Sequence, residues 1–413
     1  MSKATVQEQK DGRAFAGVRV LDLTRVLAGP YCAYQLALLG AEVIKIERPG
    51  RGETLRWRAE SDPAFAQHGL SLGFMTQSAN KRFLTLDLDT PEGREIFLAL
   101  AKRCDVVVQN LRTGSAGRRG IGYEQVKAVN PDIVFCAITA YGATGPKRCD
   151  PAYDSVIQAW SGFMSITGTA ETGPLKAGPP IIDYATGMAA AYAVSAALYQ
   201  RARTGKGQYI DLSMLDVSVM LMASVATAYA NTGNPPKPAG NNASSRAPAS
   251  TTFNTADGLL AIACNEEHQY QHLLQALGLE SLNEDERFAQ PAGRRENVPA
   301  LRARIQAALM SRSAPEWEQA LNAAGVPAGR VRTVPECMSD PQIASRPLFH
   351  TFDAGATAIG REVRVPLSPF RYEHDGPRAD VPPKPTGADT DVLLAELGYD
   401  APAIAQLRAR GVV

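Results

Sequence analysis

Between Val18 and Ile138, short β-branched runs alternate with segments of helical character, and that alternation admits few folds. Val18–Leu23 (VRVLDL) ends at Thr24 and leads into a turn containing Gly29-Pro30. Pro30 suits the first turn of a helix, which continues through Tyr31–Leu39 to Gly40, a residue type favoured just past a helix end. Glu42–Ile46 (EVIKI) is a second strand. Strand, helix and strand thus fall within about 30 residues, the span of a βαβ unit with parallel strands. The pattern repeats: strand Phe83–Leu88, helix Pro91–Lys102 opened by Thr90-Pro91, strand Asp105–Gln109, helix Tyr123–Val129 and strand Ile133–Ile138. A doubly wound α/β domain is predicted.

Further along, helix Val156–Met164, a long Ala-rich helix over Thr186–Tyr199, strand Gln208–Leu212 and helix Asp216–Ala230 extend this domain. Composition then shifts at Asn231–Ser250, where Pro, Gly, Asn and Ser predominate, the signature of a linker or mobile loop. Beyond it, a hairpin with Asp257-Gly258 at its turn, helices His268–Leu277, Val298–Met310 and Ala314–Ala324, and a strand around Arg330–Thr333 predict a smaller α+β domain. Leu348–Phe352 and Glu362–Val365 read as a strand pair, and the tail as two short helices broken at Gly398.

The chain is long enough, at 413 residues, for two domains with ample cores. Its 43 basic side chains nearly balance 42 acidic ones, so nothing in the overall charge calls for nucleic acid or an anionic membrane as partner. No apolar run reaches the length of a membrane span, Met188–Leu198 being the longest candidate. The first residues, through Gly17, are polar and lack the apolar core of a signal peptide, which predicts a cytoplasmic protein. The 6 cysteines are dispersed, with no C-x-x-C pair and no histidine at ligand spacing, so no metal site is expected.

Asp183 is the chemical focus. It lies between Pro179-Pro180 and the Ala-rich helix, where a carboxylate meets unpaired backbone N–H groups and the positive end of the helix dipole; its simplest role is an N-cap. The residues that follow are small and apolar for several turns, so the helix is buried. A carboxylate at a buried helix mouth is costly unless it is used or well hydrogen-bonded. Asp154, after Tyr153, reads the same way as the cap of helix Val156–Met164. Two such carboxylates can hold different pKa values and divide roles.

Doubly wound sheets bind ligands at the carboxyl ends of their strands. Here those ends carry Arg48, Asp87, Asn110, Arg112 and, one turn further, Arg118-Arg119. These arginines read as solvated loop residues or, gathered as they are, as a phosphate grip. A dinucleotide site with Glu47 as the ribose acid fails on its loop, because TRVLAGPYC has one glycine where G-x-G-x-x-G needs three.

The runs GVRVLDLTRVLAGPYCAYQLALLGAEVIKIERPGRGETLR, NKRFLTLDLDTPEG, DVVVQNLRTGSAGRRGIGYEQVKAVNPDIVFCAITAYG, YDSVIQAWSGFMSITG, DYATGMAAAYAVSAAL, RTGKGQYIDLSMLD, FNTADG and DTDVLLAELGY resemble class III CoA-transferases, the formyl-CoA transferase and carnitine CoA-transferase family, over nearly the whole chain. The resemblance implies a Rossmann-like large domain built from both chain ends, a small domain, and a homodimer whose subunits interlock like chain links. The chain then divides into a large CoA-binding domain over 1–225, a small domain over 226–340, and a segment over 341–413 that returns to the large domain. It also implies that Asp183 is the catalytic aspartate and that CoA is contacted by Leu27, Ala28, Arg48, Leu86, Asp87, Leu88, Asp89, Asn110, Leu111, Arg112 and Arg118. Asp154, beside Tyr153, falls where the family places an acidic partner of the nucleophile. Coenzyme A thioesters enter as substrates, with no permanently bound cofactor.

Two departures bear on the substrate. Leu27 stands where the formyl-CoA member has Gln, and GNNASSRAPAS replaces a glycine run that closes over the site. Relatives lacking that run imply a dicarboxylic acid, with succinyl-CoA as donor, and Arg246, the one Lys or Arg between Lys237 and Arg287, is the expected partner of a distal carboxylate. An α-methylacyl-CoA racemase-like isomerase would need a histidine near the aspartate, and Arg148–Ile157 holds none. A non-catalytic acyl-CoA binding protein is the reading from another class.

Overall fold

The computed structural model describes residues 11–58 and 62–413; residues 1–10 of the polar leading segment, read above as free of a signal peptide, lie outside the described residues. The chain forms two compact units, one from residues 11–163, 176–234 and 347–413, the other from residues 164–175 and 235–346. The boundary expected at 225 moves to 234 because helix Ala223–Thr232 runs intact across it. The second boundary moves from 340 to 346, and the short hairpin of Gly168–Thr169 with Gly173–Pro174 joins the second unit.

In the first unit, β1 (Arg19–Asp22), β2 (Glu42–Glu47), β3 (Lys81–Thr85), β4 (Val106–Gln109), β5 (Val134–Thr139) and β6 (Gln208–Ser213) form one parallel sheet in the order β3-β2-β1-β4-β5-β6. The winding reverses between β1 and β4, which leaves a crevice at their carboxyl ends. Alternation along the strands buries both faces. Val20, Val106, Val108 and Cys136 point to one, under helices α1 (Ala28–Leu38) and α5 (Ile181–Thr204). Leu21, Val107 and Phe135 point to the other, under α2 (Pro91–Ala101), α3 (Tyr123–Val129) and the C-terminal helices Thr390–Glu396 and Ala401–Ala409. Fully buried side chains of this kind contribute roughly 1.5–3 kcal/mol each.

Strand β3 begins at Lys81 rather than Phe83, because the two charged residues at its start find partners: Lys81 bonds Asp22 at 2.9 Å and Arg82 bonds Glu42 at 2.7 Å. Helix α5 runs for 24 residues and is long and apolar enough to cross a bilayer, unlike the shorter Met188–Leu198 run read from sequence. Its Ala190, Val194 and Ala197 nevertheless pack against the sheet. The helix expected over Asp216–Ala230 is two, α6 (Met214–Leu221) and α7 (Ala223–Thr232), bent by 80° at Met222. Between β5 and α5, α4 (Asp154–Trp160) starts at Asp154 itself.

The second unit packs the antiparallel strands Thr251–Asn254, Leu259–Ile262 and Ala328–Arg330 against helices Glu267–Leu277, Val298–Leu309 and Ala314–Ala323 around Phe253, Leu260, Leu273, Ile305 and Trp317. Asp257-Gly258 forms its expected turn, with the Thr255 N–H donating to the Gly258 carbonyl at 2.8 Å.

Candidate active site

Helix α5 begins at Ile181 behind Pro180, whose side chain offers no cap, so the orphan N–H groups of the first turn need an acceptor from elsewhere. Asp154 supplies it. Its Oδ2 accepts the N–H of Ile182 at 2.8 Å and of Asp183 at 3.2 Å, while Oδ1 accepts Gln158 Nε2 at 2.5 Å. The fully buried Gln158 in turn accepts the Ala177 N–H at 2.9 Å, tying down the strap before α5. Both capping expectations are therefore corrected: Asp154 does not cap its own helix but caps α5, and among the described residues Asp183, the third residue of α5, makes no capping bond. Freed of that duty, Asp183 is 9 % exposed, and burial, reinforced by the negative charge of Asp154, raises its pKa to about 7.

The loop from β1 to α1 passes beside Asp183 and is held by charges that are themselves buried. Val26 adopts φ of 67°, a left-handed conformation that a β-branched residue occupies only under constraint. Glu53 Oε1 accepts its N–H at 2.5 Å, and Gln77 Nε2 donates to its carbonyl at 2.5 Å. Lys45 lies 3.7 Å from Glu53, donates to the Thr24 carbonyl and reaches Asp22, which Lys81 also holds. Asn110 clamps the same loop at two points, accepting the Arg25 N–H and donating to the Arg25 carbonyl, each at 2.8 Å. Helix α1 starts uncapped, and among the described residues the N–H groups of Ala28 and Gly29 have no acceptor. At Gly187, one turn past Asp183, a Cβ would come within 2.7 Å of the Ala28 carbonyl oxygen; the missing side chain lets α1 close on α5.

Two cavities meet at Asp183. The larger, about 630 Å³, carries five arginines, Arg25, Arg112, Arg118, Arg119 and Arg148, with Asp183 in its wall. The other, about 410 Å³, shares Val26, Leu27, Tyr153 and Asp183 with the first and adds Asp154, Arg58 and Lys176. Among the described residues, no histidine lines either.

Of the residues expected from sequence, Leu27, Ala28, Asn110, Leu111, Arg112, Arg118, Tyr153 and Asp183 share the larger cavity. Arg48 and Leu86, Asp87, Leu88 and Asp89 line a small adjoining pocket that has Arg25, Leu111 and Arg119 in common with it. There Asp89 sits between Arg48 and Arg119, 3.2 Å from each. Arg246 belongs to the second unit and has φ of 56°. Glu47, the rejected ribose acid, is buried under a two-point ion pair with Arg56, 2.7 Å at each contact. Sequence reasoning missed Gln158, although its four-residue spacing from Asp154 puts both on one helix face. Arg148, in the turn-rich passage after β5, was also missed. Glu53 and Gln77 gave no local signal, since what they hold is 27 and 51 residues away.

Comparison with known proteins converges on one group. Residues 15–390 match the profile of CoA-transferase family III. The chain is similar to a succinate–glutarate CoA-transferase of Agrobacterium fabrum, 34% identical over 369 residues that cover 88% of this chain and 92% of that one. It is similar to a succinyl-CoA:mesaconate CoA-transferase of Haloarcula hispanica, 36% identical over 380 residues that cover 88% and 91%. Among solved structures, a CaiB/BaiF family protein from Brucella suis shares 33% identity at a TM-score of 0.81, over 93% of this chain and 99% of that one.

Proposed function

Since this chain belongs to CoA-transferase family III, we propose that it moves CoA from succinyl-CoA to a dicarboxylic acid through covalent intermediates on Asp183. The observation that carries this reading is the position of Asp183 in the wall common to two cavities, one of them lined by five arginines. The arginines suit the phosphates of CoA, and the second cavity suits the acyl group, which leaves the thioester carbonyl at the carboxylate.

In the proposed sequence an Asp183 oxygen attacks the thioester carbonyl carbon, the C–S bond breaks, and an acyl-aspartyl anhydride and CoA thiolate result. The thiolate attacks the aspartyl carbonyl, expels the donor acid as its carboxylate and leaves an aspartyl-CoA thioester. The acceptor carboxylate then attacks that thioester, and the released thiolate takes the acceptor acyl group, returning Asp183 as a carboxylate. Each step exchanges one acyl bond for another, so no external acid, base or redox partner is consumed. The first N–H groups of α5 are not open to stabilise an oxyanion, since those of Ile182 and Asp183 are bonded to Asp154. The open N–H groups at the start of α1, where Ala28 lines the larger cavity, take that role in this scheme.

Asp154 acts as a positioning residue, since its oxygens already accept three N–H bonds. The racemase-like reading lacks support, as neither cavity offers a histidine to move a proton. We read the assembly as a homodimer with interlocked subunits. Exposed apolar side chains on α5 to α7, Tyr192 at 77%, Met220 at 64% and Tyr229 at 54%, favour a covering partner. Sedimentation giving a monomer at micromolar concentration would contradict the dimer. The acceptor is named by screening acids against succinyl-CoA and measuring the new thioester; no exchange with any dicarboxylic acid would overturn the proposed function.

A further inference from the structure

The smaller cavity at Asp183 poses an electrostatic problem for the substrate class proposed above. A distal carboxylate brought in there meets two acids in the wall, Asp154 and Asp183, and like charges in a partly desolvated space repel. Binding therefore needs a cation on the same wall. Lys176 lines the cavity, but its ammonium already donates to the carbonyls of Ala177 and Gly178. Arg58 lines it too. Its backbone N–H is tied to the Leu55 carbonyl at 3.3 Å, and among the described residues its guanidinium has no hydrogen-bond or ion-pair partner. A planar fork of donors matches a carboxylate at two points.

We propose that Arg58 is the residue that reads the distal carboxylate, both in the donor acyl group and in the acceptor acid. Arg58 thereby selects dicarboxylic over monocarboxylic acids in a cavity that would otherwise reject a second negative charge. This rests on the transferase reading. It displaces Arg246, a residue of the second unit, from the role the sequence suggested.

The test compares wild type, Arg58→Leu, Arg58→Lys and Arg246→Ala with one acyl-CoA donor and two acceptors of equal chain length, one dicarboxylic and one monocarboxylic. Because the donor half-reaction is common, the ratio of the two acceptor kcat/KM values isolates recognition of the second carboxylate. Arg58→Leu is expected to lose about 10- to 100-fold with the dicarboxylic acid while the monocarboxylic rate changes by no more than about twofold, a discrimination judged from the same hydrogen-bond magnitudes. Arg58→Lys should recover part of the loss. CoA titration should show unchanged affinity, which separates a specificity effect from misfolding. Equal changes for both acids, no change, or a selective loss in Arg246→Ala instead would each overturn the assignment. Absence of transfer to either acid by wild type would overturn the transferase reading itself, and Arg58's role with it.

Discussion

Oδ2 of Asp154 accepts the backbone N–H of Asp183 at 3.2 Å, so one acid caps the helix that carries the other. The same contact sets the position of Asp183 and brings up the negative charge that, after burial, raises its pKa. Capping and tuning are thus a single device, built from residues 29 positions apart.

Asp183, with a pKa of about 7, should give kcat/KM for acyl-CoA that falls as pH drops below about 7, because the protonated carboxyl is no nucleophile. Stability follows the opposite direction. The folded protein binds this proton more tightly than the unfolded chain, whose value is near 3.8, so the favourable contribution present at low pH is lost as pH rises toward about 7. Asp183→Asn, neutral at every pH, should therefore gain about 1–4 kcal/mol over wild type at pH ~8 and much less at pH ~5, with transfer abolished. Urea unfolding at the two pH values measures it. An equal difference at both would contradict the raised pKa.

Asp154→Asn removes a charge beside Asp183 but leaves burial, the larger cause of its raised pKa, in place. The acidic limb of the kcat/KM profile should shift to lower pH without reaching the ordinary aspartate range, and the weakened cap should cost roughly 1 kcal/mol of stability. Loss of activity with an unshifted profile would make the residue's role purely structural.

Arg112→Ala and Arg118→Ala, both in the cavity wall, should each raise KM for acyl-CoA about tenfold with little change in kcat, the mark of binding shared by ground and transition states. Charge reversal at Arg48, whose side chain is 64% exposed and rests on Asp89, should weaken CoA binding far more than folding. Titration calorimetry showing undiminished affinity would remove these residues from the site.

Gly187→Ala should destabilise the protein by about 1–3 kcal/mol through overpacking against the Ala28 carbonyl. An ordinary mid-helix glycine gains up to about 1 kcal/mol on the same change, so the sign alone decides. Chemical denaturation reads it directly.

The sheet was legible because its strands are β-branched runs and its helices open with Thr-Pro or close with glycine, signals that act within a few residues. What was not legible is non-local. Lys81 and Arg82 look wrong for a strand until Asp22 and Glu42 are known to face them. The bend at Met222 has no proline or glycine to announce it. A buried helix mouth singles out Asp183 in the sequence, but the cap of that helix is not legible there, since Asp154 reaches across rather than along the chain. Val26 shows the limit: no reading of a valine predicts a left-handed φ held by Glu53 and Gln77.

The covalent intermediate proposed on Asp183 can be trapped chemically. Wild-type protein incubated with acyl-CoA and then hydroxylamine should carry a hydroxamate on the peptide spanning Pro179–Met188, absent without acyl-CoA and absent in Asp183→Asn, as seen by mass spectrometry. An unmodified peptide from enzyme that is turning over, or CoA exchange that survives Asp183→Asn, would contradict it.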